Sequence, residues 1–347
     1  MAVLAALVLV LLVAACAPGS KTEEQASGGA ASGASAQQEF LPTHGPYCQG
    51  KKSNESLADM TVGFSQSEEE TNPFRSTESD SIKSAAKQNG VKLLYANAQS
   101  QEPKQLSDIR DLISRGADAL IVAPLLESGL QDAFTAAREA GVPVVLIDRQ
   151  TAGTPCKDYI TNIESNFVRQ GQVAAQEIAK LTNNKAKIAV LEGTPGASVT
   201  IDRTKGFEDA VKGKSGMQIV ASQTGNFVRA DGQQVMEQLI QANPNINAVY
   251  AQNDEMAIGA ITALKSAGKS PGKDVKIIGI DGTQDATQAI ITGDMNATVT
   301  TNPRFGPEAF KVLKEYLAGK KVPQNIRVKD ELVTKKNAQQ YLKKGSY

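Results

Sequence analysis

Two α/β domains in tandem, each a doubly wound parallel sheet covered on both faces by helices, are the fold that the order of segments predicts. Three observations carry the prediction. From residue 60 onward short β-branched runs alternate with amphipathic segments that close on Gly. The strand-helix units outnumber what one ordinary doubly wound sheet holds, and "GADALIVAP" and "INAVYAQND" read as equivalent strand ends, so the pattern begins afresh in a second half. A chain of 347 residues, at roughly 100 to 200 per domain, agrees with two domains. A single eight-stranded barrel of similar content is the architectural rival.

The elements follow in order. "AVLAALVLVLLVAA" is apolar, too short to span a bilayer comfortably, and ends in small residues before Cys16, which marks residues 1–16 as an export signal, although a basic start is missing. "VAAC" resembles the lipobox of bacterial lipoproteins, which implies that Cys16 is the lipid attachment point. Residues 17–57 begin as the Gly/Ser/Ala/Gln-rich run "APGSKTEEQASGGAASGASAQQ", which has nothing to bury and reads as a flexible tether. "MTVGFS" is then a strand, followed by a helix over about residues 74–89 that ends in "NGV"; "KLLYAN" is the next strand and "PKQLSDIRDLISRG" the next helix. The same beat continues through "ADALIVAP", "ESGLQDAFTAAREAG", "VPVVLIDR", "DYITNI" and "NFVRQGQVAAQEIAKL". It resumes with "KIAVLEGT", "IDRTKGFEDAVKG", "QIVASQTG", "ADGQQVMEQLIQANP", "INAVYAQN", "DEMAIGAITALKSAG", "VKIIGIDG" and "TQDATQAIITG".

Composition excludes several classes of function. Lys and Arg number 37 against 37 Asp and Glu, so the balance suggests neither nucleic acid nor an acidic solvating tail, and the partner should be small or neutral. One His, three Cys and no Trp leave no imidazole or thiolate constellation for a metal, and no cofactor is expected. His44 lies in a polar tail and reads as a bystander. Cys48 and Cys156 lie in an oxidising setting that permits a disulfide between them, but spacing alone leaves the pairing open. "GTPGAS" is Gly-rich without the Lys-Ser or Lys-Thr a phosphate loop needs, and "AGKS" has Ala263 where that motif requires Gly.

In open parallel sheets ligands bind beyond the carboxyl ends of the strands. Polar residues collect at those ends: "VYAQNDEMAIGA" holds Gln252, Asn253, Asp254 and Glu255, "VVLIDR" ends in Asp148 and Arg149, "IIGIDG" carries Asp281, and "VGFS" opens into "ETNPFR". Asp254 fits a helix N-cap and Glu255 the positive first turn, which leaves the Asn253 amide free for a ligand. Asp148 and Asp281 also fit as helix caps with no ligand role, Arg203 as a helix-surface charge, and Phe227 as a core residue.

The series "NPFR", "PVVLIDR", "GASVTIDRTKGF", "TGNFVRADG", "VYAQNDEMAIGA", "GIDGTQD" and "ATVTTNP", in this order from about Met60 to the mid-330s, resembles the type I solute-binding proteins of sugar ABC importers, and within them the ribose-binding and galactofuranose-binding branches. The resemblance implies a type I periplasmic-binding-protein fold: an N-terminal domain of residues 58–162 plus 302–329, a C-terminal domain of 163–301 plus 330–347, and a three-segment hinge near Thr161 to Ser165, Thr300 to Pro303 and Arg327 to Val333. It implies that Asn72, Phe74, Asp148 and Arg149 contact the sugar from the first domain, and Arg203, Phe227, Asn253 and Asp281 from the second. The chemistry suits a polyol: carboxylates accept from adjacent hydroxyls, guanidinium groups donate in a fork, and aromatic faces cover the C–H side of a ring. Two positions depart from the ribose pattern, Arg75 in place of a second Phe and Thr301 in place of Gln. Arg75 exchanges stacking surface for donors, which suits a ligand with more hydroxyls, such as galactofuranose. Because three Arg outnumber two Asp, an acidic sugar is the other possibility.

The expected protein is therefore an exported, lipid-anchored monomer that captures a monosaccharide in a cleft and delivers it to the permease and ATPase of an ABC importer. A sensor or chemoreceptor-coupled role for the same fold is the alternative. A glycoside-processing enzyme is disfavoured by the lack of a proton-transfer His, a G-x-S-x-G elbow or metal ligands, and by the expectation that Asp residues among three Arg are both ionised. A transcriptional regulator would need a helix-turn-helix where the export signal and tether stand.

Overall fold

A computed structural model describes residues 39–41, 44–54 and 56–347. The export signal, Cys16 and the tether up to residue 38 lie outside the described residues. Along the first half run β1 (Tyr47–Gln49), β2 (Thr61–Gln66), α1 (Pro73–Gln88), β3 (Lys92–Asn97), α2 (Glu102–Ser114), β4 (Ala119–Val122), α3 (Gln131–Glu139), β5 (Val144–Ile147) and β6 (Thr161–Glu164). Next come α4 (Phe167–Leu181), β7 (Ala186–Glu192), α5 (Ser198–Val211), β8 (Met217–Thr224), α6 (Arg229–Ala242), β9 (Ala248–Ala251), α7 (Asp254–Ser266), β10 (Lys276–Asp281), α8 (Gln284–Thr292) and β11 (Ala297–Thr300). The chain closes with α9 (Gly306–Leu317), β12 (Lys321–Pro323), β13 (Asn325–Arg327), β14 (Leu332–Thr334) and α10 (Ala338–Lys344).

These strands build two open six-stranded sheets, ordered β13-β6-β5-β4-β2-β3 and β14-β11-β10-β9-β7-β8. All pairings within them are parallel except β14 on β11. Open edges rule out the barrel. The central strands "ALIV", "VVLI" and "AVYA" are buried throughout, as parallel strands covered on both faces must be. Alternation divides their side chains between two layers: Ile121, Val145 and Ile147 join one hydrophobic cluster of the first lobe, and Leu120, Val144 and Leu146 the other. Helix α9 returns to the first lobe with Phe305 and Phe310, whereas α10 packs in the second beside α8. The chain thus crosses between lobes three times, between Glu164 and Phe167, between Thr300 and Gly306, and between Arg327 and Leu332.

The tether is shorter than its sequence suggests. Phe40 bridges to Val328, β1 pairs antiparallel with β12, and Cys48 is buried in a disulfide with Cys156. The low-complexity composition that argues for a tether has ended by Phe40, and from there an aromatic side chain and a disulfide hold the chain to the first lobe. Helix α3 also begins later than "ESGLQ" implies: Gly129 takes φ +100°, which no helix allows, and the Glu127 amide before it donates to the Gly196 carbonyl of the other lobe at 2.9 Å.

Candidate ligand-binding cleft

The carboxyl ends of the two sheets face each other, and the turns that leave them form the walls of a cleft. On the first lobe, Asn72 caps α1: its Oδ1 accepts from the Phe74 amide at 2.9 Å, and Pro73 starts the helix without an N–H to satisfy. The first turn then carries Phe74 and Arg75. Across from it, Asp148 follows β5 with φ +63°, a left-handed conformation that turns the chain abruptly after a buried strand. It caps no helix.

These residues meet in a buried ion network centred on Glu68, which lies just beyond β2. Arg75 Nε donates to Glu68 Oε2 at 2.8 Å, and Arg149 Nη2 donates to Glu68 Oε1 at 2.8 Å and to Oε2 at 3.0 Å. Arg75 Nη1 also reaches Glu78 Oε2 and Asp148 Oδ2, both at 2.8 Å. Burial alone would raise the Glu68 carboxyl, but Arg149 and Arg75 overcome it and hold the group down at about 2. Glu78 behaves oppositely. It is wholly buried, and burial prevails over Arg75 to push it up to about 7.

On the second lobe Arg203 stands in α5 with every nitrogen engaged. Nε donates to Gln170 Oε1 at 2.9 Å, Nη1 to the Gln252 carbonyl at 2.5 Å, and Nη2 to Thr301 Oγ1 at 3.1 Å, with Asp281 Oδ1 3.4 Å away. Its guanidinium lies 5.3 Å from the Phe167 ring centroid, a cation–π placement inside the lobe. Phe227 occupies the turn between β8 and α6 with φ +63°, its ring leaning over Gly193, and Asp281 ends β10 with φ +130°. Non-glycine residues with such backbones gather where structure over-determines them, and three of them line this cleft.

The polar run 252–255 is mainly scaffolding. Asn253, not Asp254, caps α7: its Oδ1 accepts from the Met256 amide at 3.0 Å and its Nδ2 donates to the Phe227 carbonyl at 3.0 Å. Asp254 is fully buried and accepts from the Gly282 and Thr283 amides, both at 2.8 Å, and from Thr298 Oγ1 at 2.7 Å, so it clamps the turn after β10. Gln252 Oε1 accepts from the Gly193 amide, and Glu255 pairs with Arg229.

Nine of the ten residues singled out in the sequence surround one cavity between the lobes: Asn72, Phe74, Arg75, Asp148, Arg149, Arg203, Phe227, Asn253 and Asp281. Thr301 does not; it lies buried behind the wall, where it accepts from Arg203 and Gln170. Glu68 and Val199 also line the cavity. Glu68 was legible in principle, since "EEE" follows "VGFSQS" at a strand end. Arg203 is buried rather than on a helix surface, and Phe227 belongs to the second-lobe core as well as to the cavity wall.

The lobes are closed on each other. Beyond the Glu127 to Gly196 bond, the Gln150 amide donates to Ser198 Oγ at 3.1 Å, Thr194 Oγ1 donates to Glu68 Oε1 at 3.3 Å, and the Arg149 guanidinium lies 5.4 Å from the Phe227 ring centroid. Asp281 corrects one expectation. Burial outweighs the pull of Arg203 and, with Asp254 and Asp148 nearby, lifts its carboxyl well above the ordinary value, against the expectation that the arginines hold it down.

Comparison with known proteins agrees with this architecture. The galactofuranose-binding protein YtfQ of Escherichia coli is 36% identical over 295 residues, covering 81% of this chain and 92% of its own length. The ribose import binding protein RbsB of Bacillus subtilis is 39% identical over 279 residues, covering 80% of this chain and 88% of its own. A crystal structure from Mycobacterium smegmatis in complex with β-D-fucofuranose superimposes with a TM-score of 0.79 at 38% identity, over 82% of this chain and 94% of that one. The two named relatives are binding proteins. With residues 62–321 matching the periplasmic binding protein domain, the chain belongs to the periplasmic binding protein family.

Proposed function

We propose that this protein captures a neutral monosaccharide in furanose form between its lobes, outside the cytoplasmic membrane, and passes it to an ABC importer. One observation carries the choice of a neutral ligand: each cleft arginine already has a carboxyl group of the protein beside it, Glu68 and Asp148 for Arg75 and Arg149, and Asp281 for Arg203. Arg75 and Arg149 share Glu68, and Arg203 spends its donors on Gln170, Gln252 and Thr301. A sugar acid would have to compete with those carboxyl groups, whereas hydroxyls can accept from donors left over, such as the buried Arg149 Nε, and donate to the carboxylates. Phe74 and Phe227 offer apolar faces for the C–H side of a ring. The relatives named for galactofuranose and the neighbour bound to β-D-fucofuranose support the furanose ring form.

In this reading Asn72, Phe74, Arg75, Asp148 and Arg149 bind from one lobe, and Arg203, Phe227, Asn253 and Asp281 from the other, while Thr301 holds Arg203 in place. Sugar that touches both walls favours the closed form by its differential affinity, and the closed form is what a permease would recognise. Cys16 would carry the lipid that keeps the protein at the membrane. A thermal-shift screen tests the reading. Neutral furanose-forming sugars such as arabinose and galactose should raise Tm, with no loss of effect in high salt. A rise only with uronic acids, weakened by salt, would overturn the ligand class.

A further inference from the structure

We propose that Glu68 is the residue that makes the cleft select neutral sugars over acidic ones, by standing where a ligand carboxylate would otherwise dock. The inference rests on the sugar-binding reading and adds to it the determinant of ligand charge.

The geometry is that of an internal substitute. A carboxylate bound by two arginines takes donors from both, and Glu68 does so: Oε2 accepts from Arg75 Nε at 2.8 Å, and both oxygens accept from Arg149 Nη2 at 2.8 and 3.0 Å. Glu68 is buried yet lines the cavity, so its carboxylate borders the space a ligand uses. Its main chain is held too, since the Glu68 carbonyl accepts from Asn97 Nδ2 at 2.9 Å.

Charge counting gives the consequence. On the first-lobe wall Arg75 and Arg149 are paired with Glu68 and Asp148, and Glu78 lies behind them against Arg75. A uronate entering this wall meets two carboxylates that already pair with both guanidinium groups. Like charges brought together in a desolvated cleft repel each other strongly. Without Glu68 the wall loses the carboxylate that Arg75 and Arg149 share, which leaves a gap for a ligand carboxylate beside two guanidinium groups.

The test is isothermal titration of the purified wild type, Glu68→Ala and Glu68→Gln with galactose and with galacturonate, at low and high salt. Thermal unfolding of each variant reports folding independently. The wild type should bind galactose and reject galacturonate. In Glu68→Ala the preference should narrow by about tenfold or more, with an absolute gain for galacturonate that high salt weakens. Glu68→Gln keeps the volume and removes only the charge, so it should shift the same way by less. Galactose binding that persists in folded variants with no gain for galacturonate would overturn the role of Glu68 while leaving the sugar-binding reading intact. A wild type that prefers galacturonate, or binds neither sugar, would bring down that reading and the role of Glu68 with it.

Discussion

Gly193 has no side chain at the point where the Phe227 ring leans on the backbone, and a Cβ built there would run into the ring itself. Phe227 is held in turn by its left-handed backbone and by the two amides of Asn253 and Asn72, which donate to its carbonyl at 3.0 and 3.4 Å. Gly193→Ala must therefore displace the ring toward the cleft. We expect a Tm loss in keeping with roughly 1–3 kcal/mol of overpacking and a fall in sugar affinity of about tenfold or more; intact affinity would remove Phe227 from the site. Asp254 gives a second prediction at this scale. Asn253→Ala removes a helix cap, roughly 1 kcal/mol, whereas Asp254→Ala orphans the buried Gly282 and Thr283 amides and should cost more, at least about 2 kcal/mol by chemical denaturation. The reverse order would restore Asp254 as the cap. Sequence could not decide between two adjacent cap-forming residues. The choice is made across the sheet, where Gly279 lacks the Cβ that would block the Asp254 carboxylate.

Among the elements, those with a strong local period are the ones that sequence reveals. The buried strands and long helices from β2 to α8 stand close to where alternation and Gly stops place them, because each satisfies its own pattern. The three-residue strands β1, β12, β13 and β14 have no period to read; they exist because distant partners accept them, Tyr47 opposite Pro323 and Asn325 opposite Asn162. Strand β1 depends besides on the disulfide between Cys48 and Cys156, 108 residues apart. Replacing both cysteines by Ser should lower stability by roughly 2–5 kcal/mol and expose the segment around β1 to protease, with sugar affinity nearly unchanged because the bond lies outside the cleft. A large loss of affinity would tie that edge of the first lobe to closure.

At the scale of the whole molecule, Gln170 joins the three interlobe crossings to the cleft. Its Oε1 accepts from Arg203, while its Nε2 lies within bonding reach of the Thr300 carbonyl at 3.2 Å, Thr301 Oγ1 at 2.9 Å and Asp330 Oδ2 at 3.0 Å. Asp330, in the third crossing, also accepts from Ser165 Oγ of the first at 2.8 Å. Nearby, Glu164 accepts from Arg327 at 2.6 Å. Burial raises Asp330 to about 7 against the pull of Ser165, Gln170 and Arg203, and raises Glu164 to about 7 against that of Arg327. A carboxyl whose folded value lies above its unfolded value of 3.8 binds a proton more tightly when folded, so its stabilising effect is complete below about pH 4 and is lost as pH rises through 7. Glu68 runs the other way, stabilising above about pH 4.5 and failing as pH falls toward 2. Together they place maximal stability in mildly acidic solution, with Tm declining from about pH 5 to pH 8. Asp330→Asn cannot ionise, and its amide would face the donor of Gln170. It should therefore start with a lower Tm at pH 5 and lose less of it by pH 8; a decline as steep as that of the wild type would show that the pH dependence arises away from the hinge.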